Sequence, residues 1–167
     1  MTDGTTARLA LPLLQPGQAQ KELYHNEALA LLDLATQAVV EAVGVDTPPA
    51  APDLGACWVV GSAPSGTWAG HAHAIAGWTS GGWRFIGPRE GLAVWNRAAG
   101  QGSRFVGGGW EDGVLTGHRL QLDGQQVVGP RRPAIADPAA GTTIDAEART
   151  AIAAILETLR EHGLIQA

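Results

Sequence analysis

WAGHAHAIAGWTSGGWRFIGPREGLAVW, residues 68–95, decides how this chain is read. Short β-prone runs, Ala72–Trp78, Trp83–Ile86 and Leu92–Trp95, alternate with the Gly-rich turns Ser80–Gly82 and Gly87–Gly91. The same rhythm continues outward through Cys57–Val60, Ser103–Val106, Arg119–Leu122 and Gln126–Val128. Short strands separated by turn signals at such spacing predict an antiparallel sandwich, roll or small barrel. Asp123-Gly124, between Leu122 and Val127, is a hairpin-turn signal. All six tryptophans, Trp58, Trp68, Trp78, Trp83, Trp95 and Trp110, fall within residues 54–129, which we take as one β-domain.

Both flanks are different. Residues 1–15 read as an extended arm, and Pro16 sits where a helix can begin. Gln18–Val43 contains neither Pro nor Gly. Its Leu23, Glu27, Leu31, Leu34, Ala38 and Ala42 recur at spacings of three and four, with Gly44 as a C-cap. This predicts a long amphipathic helix within an N-terminal segment 1–46, with Leu31 and Leu34 packed on another helix or subunit. Residues 47–53 follow as a Pro-rich linker and 130–141 as a second one. In the last segment, 142–167, Thr142-Thr-Ile-Asp145 fits a capping box. Ala148, Ile152, Ile155 and Leu159 then form an a/d seam, and Gly163-Leu164 fits a Schellman stop. The expected fold class is thus α+β: a long N-terminal helix, a Trp-rich antiparallel β-domain and an oligomerising C-terminal helix.

Composition narrows the function. The chain has 167 residues and a formal charge of −5, and Lys21 is its one lysine. An acidic chain without a Lys/Arg cluster lacks the phosphate contacts that dominate nucleic-acid affinity. It also lacks the polybasic patch that anionic membranes attract, and the early apolar run is broken at Pro12. Charged residues are 16% of the chain, against about 25% in an ordinary soluble domain. That suits a subunit burying much of its surface against neighbours. A single cysteine, Cys57, excludes an internal disulfide and a Cys-based zinc site, and its apolar run makes it a buried small residue.

Phosphate-binding glycine loops and a Gly-x-Ser-x-Gly elbow are absent. Glu111 and Asp112 would point to opposite faces of a strand, which is wrong for a glycosidase pair. We therefore expect no enzyme, no cofactor and no metal. His71 and His73 would share one strand face, but no third ligand is at hand. Tryptophan outnumbers Phe and Tyr together. Indoles stack on the apolar faces of sugar rings, so excess Trp beside flexible turns points to a glycan site. Trp58, Trp83 and Trp95 lie in apolar runs and read as core. Trp68, Trp78 and Trp110 lie by turns and become the stacking candidates, with His71 and His73 as hydrogen-bonding partners to sugar hydroxyls. Glu27, on the apolar stripe, reads as a polar clamp that fixes helix partner or register.

LPLLQPGQAQKELYHNEALALLD and GTWAGHAHAIAGWTSGGWRFIGPREGLAVW resemble a family described only as a domain of unknown function, found in prophages and gene transfer agents of alphaproteobacteria. VVGPRRPAIADP and GTTIDAEARTAIAAILETLREHGLI resemble the C-termini of phage fibre and head-fibre proteins. The resemblance implies a virion structural protein: a spike or tail/head fibre subunit on the surface of a phage-like particle, assembled in the bacterial cytoplasm and touching the recipient cell; with the tryptophans, the expected target is recipient-cell polysaccharide. Its partners would be further copies, three or more by the isoleucines Ile152 and Ile155, with a trimer favoured over a pentamer, and other capsid or tail proteins. A structural adaptor joining a fibre to capsid or tail is the alternative. An enzyme degrading envelope polysaccharide is the second.

Overall fold

The computed structural model describes residues 4–15, 17, 21–138 and 145–166. The chain is α+β, with two helices and several sheets, and divides into two compact units, Met1–Val114 and Leu115–Ala167. By that division the hairpin expected to finish the β-domain groups with the C-terminal segment.

In the first unit, helix α1 (Lys21–Ala35) is 15 residues long, much shorter than the helix expected over 18–43. Pro16 and Gln18–Gln20, expected at its start, lie outside the described residues. It stops because the chain turns left-handed at Gln37 (φ 45°) and then becomes rich in valine. β-Branched side chains favour strands, and Val39–Val40 and Val43–Val45 become β1 and β2.

A second cause is tertiary. The Arg8 guanidinium donates to the carbonyls of Asp33, Leu34 (3.2 Å), Thr36 (3.3 Å) and Gln37 (2.9 Å). These include carbonyls that α1 leaves open at its C-terminal end, where a cation is also favoured by the helix dipole. The buried Asp33 carboxylate in turn accepts from Thr6 Oγ1 (2.8 Å) and from the N–H groups of Arg8 (3.0 Å) and Leu9 (2.6 Å). The arm is therefore folded on itself, with Thr6 N–H donating to Leu11 O and Leu13 N–H to Gly4 O, rather than extended.

Two four-stranded sheets follow. One has the order β1-β6-β7-β8, with β6 at Ala93–Asn96, β7 at Gln101–Val106 and β8 at Gly109–Asp112. The other has the order β2-β3-β4-β5, with β3 at Cys57–Val60, β4 at Ile75–Thr79 and β5 at Gly82–Ile86. The hairpins are antiparallel as expected. β1 and β2, however, join β6 and β3 in parallel, because a chain expected as helix instead feeds one strand to each sheet. β8 lies outside the β-prone runs of the sequence.

The core contains Leu34, Ala38, Val40, Cys57, Val59, Ile75 and Val94. Leu34 is 1% exposed and packs against Gly77 of β4, which has no side chain to displace it. The expectation that Leu34 meets another subunit is thus corrected: its contact is internal. Leu31 is half-buried. The Pro-rich stretch 47–53 is held at both ends, since Thr47 Oγ1 lies 3.2 Å from Ser65 Oγ and Ala56 N–H donates to Asp53 O.

The second unit holds the antiparallel hairpin of β9 (Leu120–Leu122) and β10 (Gln125–Val128), and helix α2 (Ala146–Glu161). Asp123 and Gly124 both have positive φ, 49° and 76°, as a tight primed turn requires. The Asp145 carboxylate caps α2 by accepting from Ala148 N–H at 2.8 Å; Thr142–Ile144 of the expected capping box lie outside the described residues. At the other end Gly163 N–H donates to Arg160 O and Leu164 N–H to Leu159 O, both at 2.9 Å. With Gly163 at φ 67°, this is a Schellman stop. The expected second linker is partly fixed, because Arg132 N–H donates to Leu164 O and Gln166 N–H to Arg132 O.

Candidate functional site: an aromatic face and two clefts

On β3-β4-β5, side chains alternate between two faces. Cys57, Val59, Ile75 and Gly77 face the core that includes Leu34. The opposite face presents Trp58, Ala76, Phe85, Trp78 and Trp83, with Trp58 opposite Ala76, Ala76 opposite Phe85, and Trp78 opposite Trp83. A 3-10 turn at Gly66–Trp68 lays Trp68 over this face. Its ring centroid lies 5.1 Å from Trp83 and 6.3 Å from Trp58, in the tilted and edge-to-face geometries that aromatic quadrupoles favour.

Burial reorders the stacking candidates. Trp68 is fully buried, so it supports the fold and offers no plane to a sugar. Trp110 is half-buried, packs on the core, sits edge-on to Phe105 and donates its Nε1–H to His73 O at 2.9 Å. Trp78 is half-buried and remains available. Trp95, read as core, is 51% exposed on β6. Strand alternation explains this: Val94 and Asn96 point inward, so Ala93 and Trp95 point out. An alternation count could have found it.

His71 and His73 do not share a face. They precede β4, and His73 is left-handed at φ 63°. His71 is exposed and stacks on Phe85 of one sheet, with centroids 3.7 Å apart; His73 leans on Phe105 of the other. Among the described residues, no three His, Cys, Asp or Glu side chains gather as a metal site.

Trp78 forms one wall of a cleft of about 620 Å³. The folded arm contributes Thr5, Thr6 and Leu13; α1 contributes Leu23, Asn26, Glu27 and Ala30; the β4–β5 hairpin contributes Thr79, Ser80 and Arg84. Both Glu27 carboxylate oxygens accept from Arg84 Nε, at 2.7 and 2.8 Å. Glu27 is therefore a clamp between α1 and β5 of its own unit, not between helices of different subunits. Arg84 Nη1 also donates to Gly81 O and Trp83 O. Asn26 holds the arm through Leu14, accepting from its N–H and donating to its O. The cleft thus combines apolar side walls and an ion pair, with Trp78 at its edge and the Trp78 ring edge-on to Trp83 at 5.0 Å. Its two carboxylates are both engaged, Asp33 by three donors and Glu27 by Arg84.

A second groove of about 670 Å³ is lined by Trp58, Glu41, Asp53, Arg97 and the prolines Pro49 and Pro52. Arg97 Nη1 meets Glu41 Oε1 there at 2.7 Å, largely in solvent. Cys57, fully buried, has its thiol pKa pushed up from 9.0 to about 11 by desolvation, with Arg8 opposing and Asp33 and Glu41 reinforcing the rise. No helix among the described residues is long and apolar enough to cross a membrane.

The family described as "Protein of unknown function (DUF2793)" matches residues 25–111, just over half of the chain, and the chain belongs to that family. The matched span runs from within α1 into β8 and includes Trp78, Glu27 and Arg84. No curated protein matches the chain.

Proposed function

We propose that this protein is a non-enzymatic virion subunit, a spike or fibre component of a phage-like particle, that attaches to recipient-cell polysaccharide. The observation that carries the reading is the Trp78 cleft. Half-buried Trp78 and the Glu27–Arg84 pair are both among the residues that line it. An indole packs on the C–H face of a sugar ring, and planar charged groups grip its hydroxyls in pairs. Single sugar contacts are weak, so affinity would come from several copies on one particle, which can raise avidity by about 10²–10⁴. The proposed partners are further copies of this chain and other capsid or tail proteins.

The engaged carboxylates favour binding over hydrolysis, since a glycosidase needs one acid and one base or nucleophile free to act. The structural adaptor remains the second reading, because the exposed apolar surface of the C-terminal unit would serve assembly without sugar. Co-sedimentation of the purified protein with cell-surface polysaccharide separates them. Trp78→Ala should weaken binding at least tenfold, whereas Trp95→Ala should leave it within about twofold. Binding of wild type and Trp78→Ala alike would transfer the argument to the adaptor.

A further inference from the structure

The C-terminal unit carries its apolar side chains on the outside. Among its described large hydrophobic residues, Leu156 and Ile165 are buried. Leu120, Leu122, Val127 and Val128 of the hairpin are each 43–59% exposed. Ile152 and Ile155 on α2 are 44% and 59% exposed, and Leu115 is entirely so.

In the hairpin, Leu120 pairs with Val128 and Leu122 with Gln125, while Gln121 pairs with Gln126. Leu120, Leu122, Gln125 and Val128 therefore share one face and Gln121 and Gln126 the other, across a register shift between Gln126 and Val128. α2 turns Leu156 inward and leaves Ile152 and Ile155 outward. Among the described residues, each element thus has exposed apolar side chains on one face.

A two-stranded hairpin is marginal alone in water, and so is a 16-residue helix. Small folds of this size are held by disulfides, a metal, dense packing or association. Residues 115–167 contain no cysteine. No metal-ligating group of three gathers among the described residues, and two buried apolar side chains are not a dense core. Association is what is left.

We infer that the occupant of these faces is a second copy of the same unit, and that residues 115–167 complete their fold only in the homo-oligomer. This rests on the homo-oligomeric part of the reading above and is independent of sugar binding. The seam Ala148-Ile152-Ile155-Leu159 repeats at 4, 3 and 4, so it meshes with an identical seam. Ala151 and Thr158, which flank it on one side, carry no charge to repel a like copy. The hairpin carries exposed apolar residues of its own, Leu120, Leu122, Val127 and Val128.

The test uses the full chain. Sedimentation velocity and amide hydrogen exchange are measured across a dilution series. On dilution through dissociation, protection in 115–167 should fall at least tenfold while β3–β7 keep theirs. Leu120→Gln with Leu122→Gln should shift the dissociation midpoint upward at least tenfold. A monomer at micromolar concentration with 115–167 protected would overturn the inference, since the unit would then be covered within one chain. An oligomer whose 115–167 stay unprotected would overturn it too. Neither result depends on polysaccharide, so a failed sugar assay and a failed association assay are told apart.

Discussion

Leu34 and Gly77 make a pair whose energetics test how α1 is fixed to the sheet. Leu34 is 1% exposed, and a Cβ placed on Gly77 would stand 2.6 Å from its Cδ1 and nearer still to its Cδ2. Leu34→Ala leaves a cavity over β4 and should cost about 3–5 kcal/mol, the upper part of the range for buried Leu→Ala. Gly77→Ala overpacks the same spot. Gly77 is not left-handed, so the cost is steric and should be about 1–3 kcal/mol. In the double variant the new methyl enters the space that Leu34 vacated. The combined loss should fall short of the two single losses added together by about 1–3 kcal/mol, the coupling expected of residues in contact. Urea unfolding followed by tryptophan emission is the assay. All six tryptophans lie in the first unit, so the signal reports that unit alone. Additivity within about 0.5 kcal/mol would refute direct packing of Leu34 on β4.

Trp68→Ala should destabilise the first unit by about 3–5 kcal/mol, visible as a lower urea midpoint, because a buried indole is lost from an aromatic cluster. The Cys57 thiol should resist a thiol reagent until urea unfolds the chain. Its folded pKa is raised, so the native state keeps a proton that the unfolded chain releases. Stability is therefore intact below about pH 9 and falls as pH climbs toward 11; Cys57→Ala should remove this part of the alkaline loss from the urea midpoint. Glu27→Gln should cost only about 0.2–1 kcal/mol, since the Arg84 pair is partly in solvent, and added salt should shrink that difference. Ile152→Asp with Ile155→Asp should yield a monomer by light scattering, because it places two charges in the seam.

Local signals were legible where one residue type does one job. Asp123-Gly124 specified its turn, Gly163-Leu164 its helix stop, and the Gly-separated runs most strands of the two sheets. Periodicity failed over 36–45, because apolar residues three and four apart suit a helix face and a buried strand pair equally. Arg8, about 25 residues upstream, also holds the end of α1, and no local pattern carries that contact. Trp68 and Trp95 exchanged roles for opposite reasons. A turn sequence suggested exposure for Trp68, yet the turn folds its indole onto a sheet. An apolar run suggested burial for Trp95, yet strand alternation turns it outward. The Trp78 cleft was legible in part: Trp78 stood out as an indole by a turn, and Glu27 as a polar clamp. The pairing of Glu27 with Arg84, 57 residues away, was not.

The central claim is attachment to cell-surface polysaccharide through the Trp78 cleft. Its most direct test is adsorption of the purified protein to capsulated cells and to capsule-free cells of the same strain. The account predicts strong adsorption to the capsulated cells, little to the others, and loss of the difference with Trp78→Ala while tryptophan emission still reports a folded first unit. Equal adsorption to both kinds of cell, or a capsule-dependent adsorption that Trp78→Ala leaves unchanged, would contradict it.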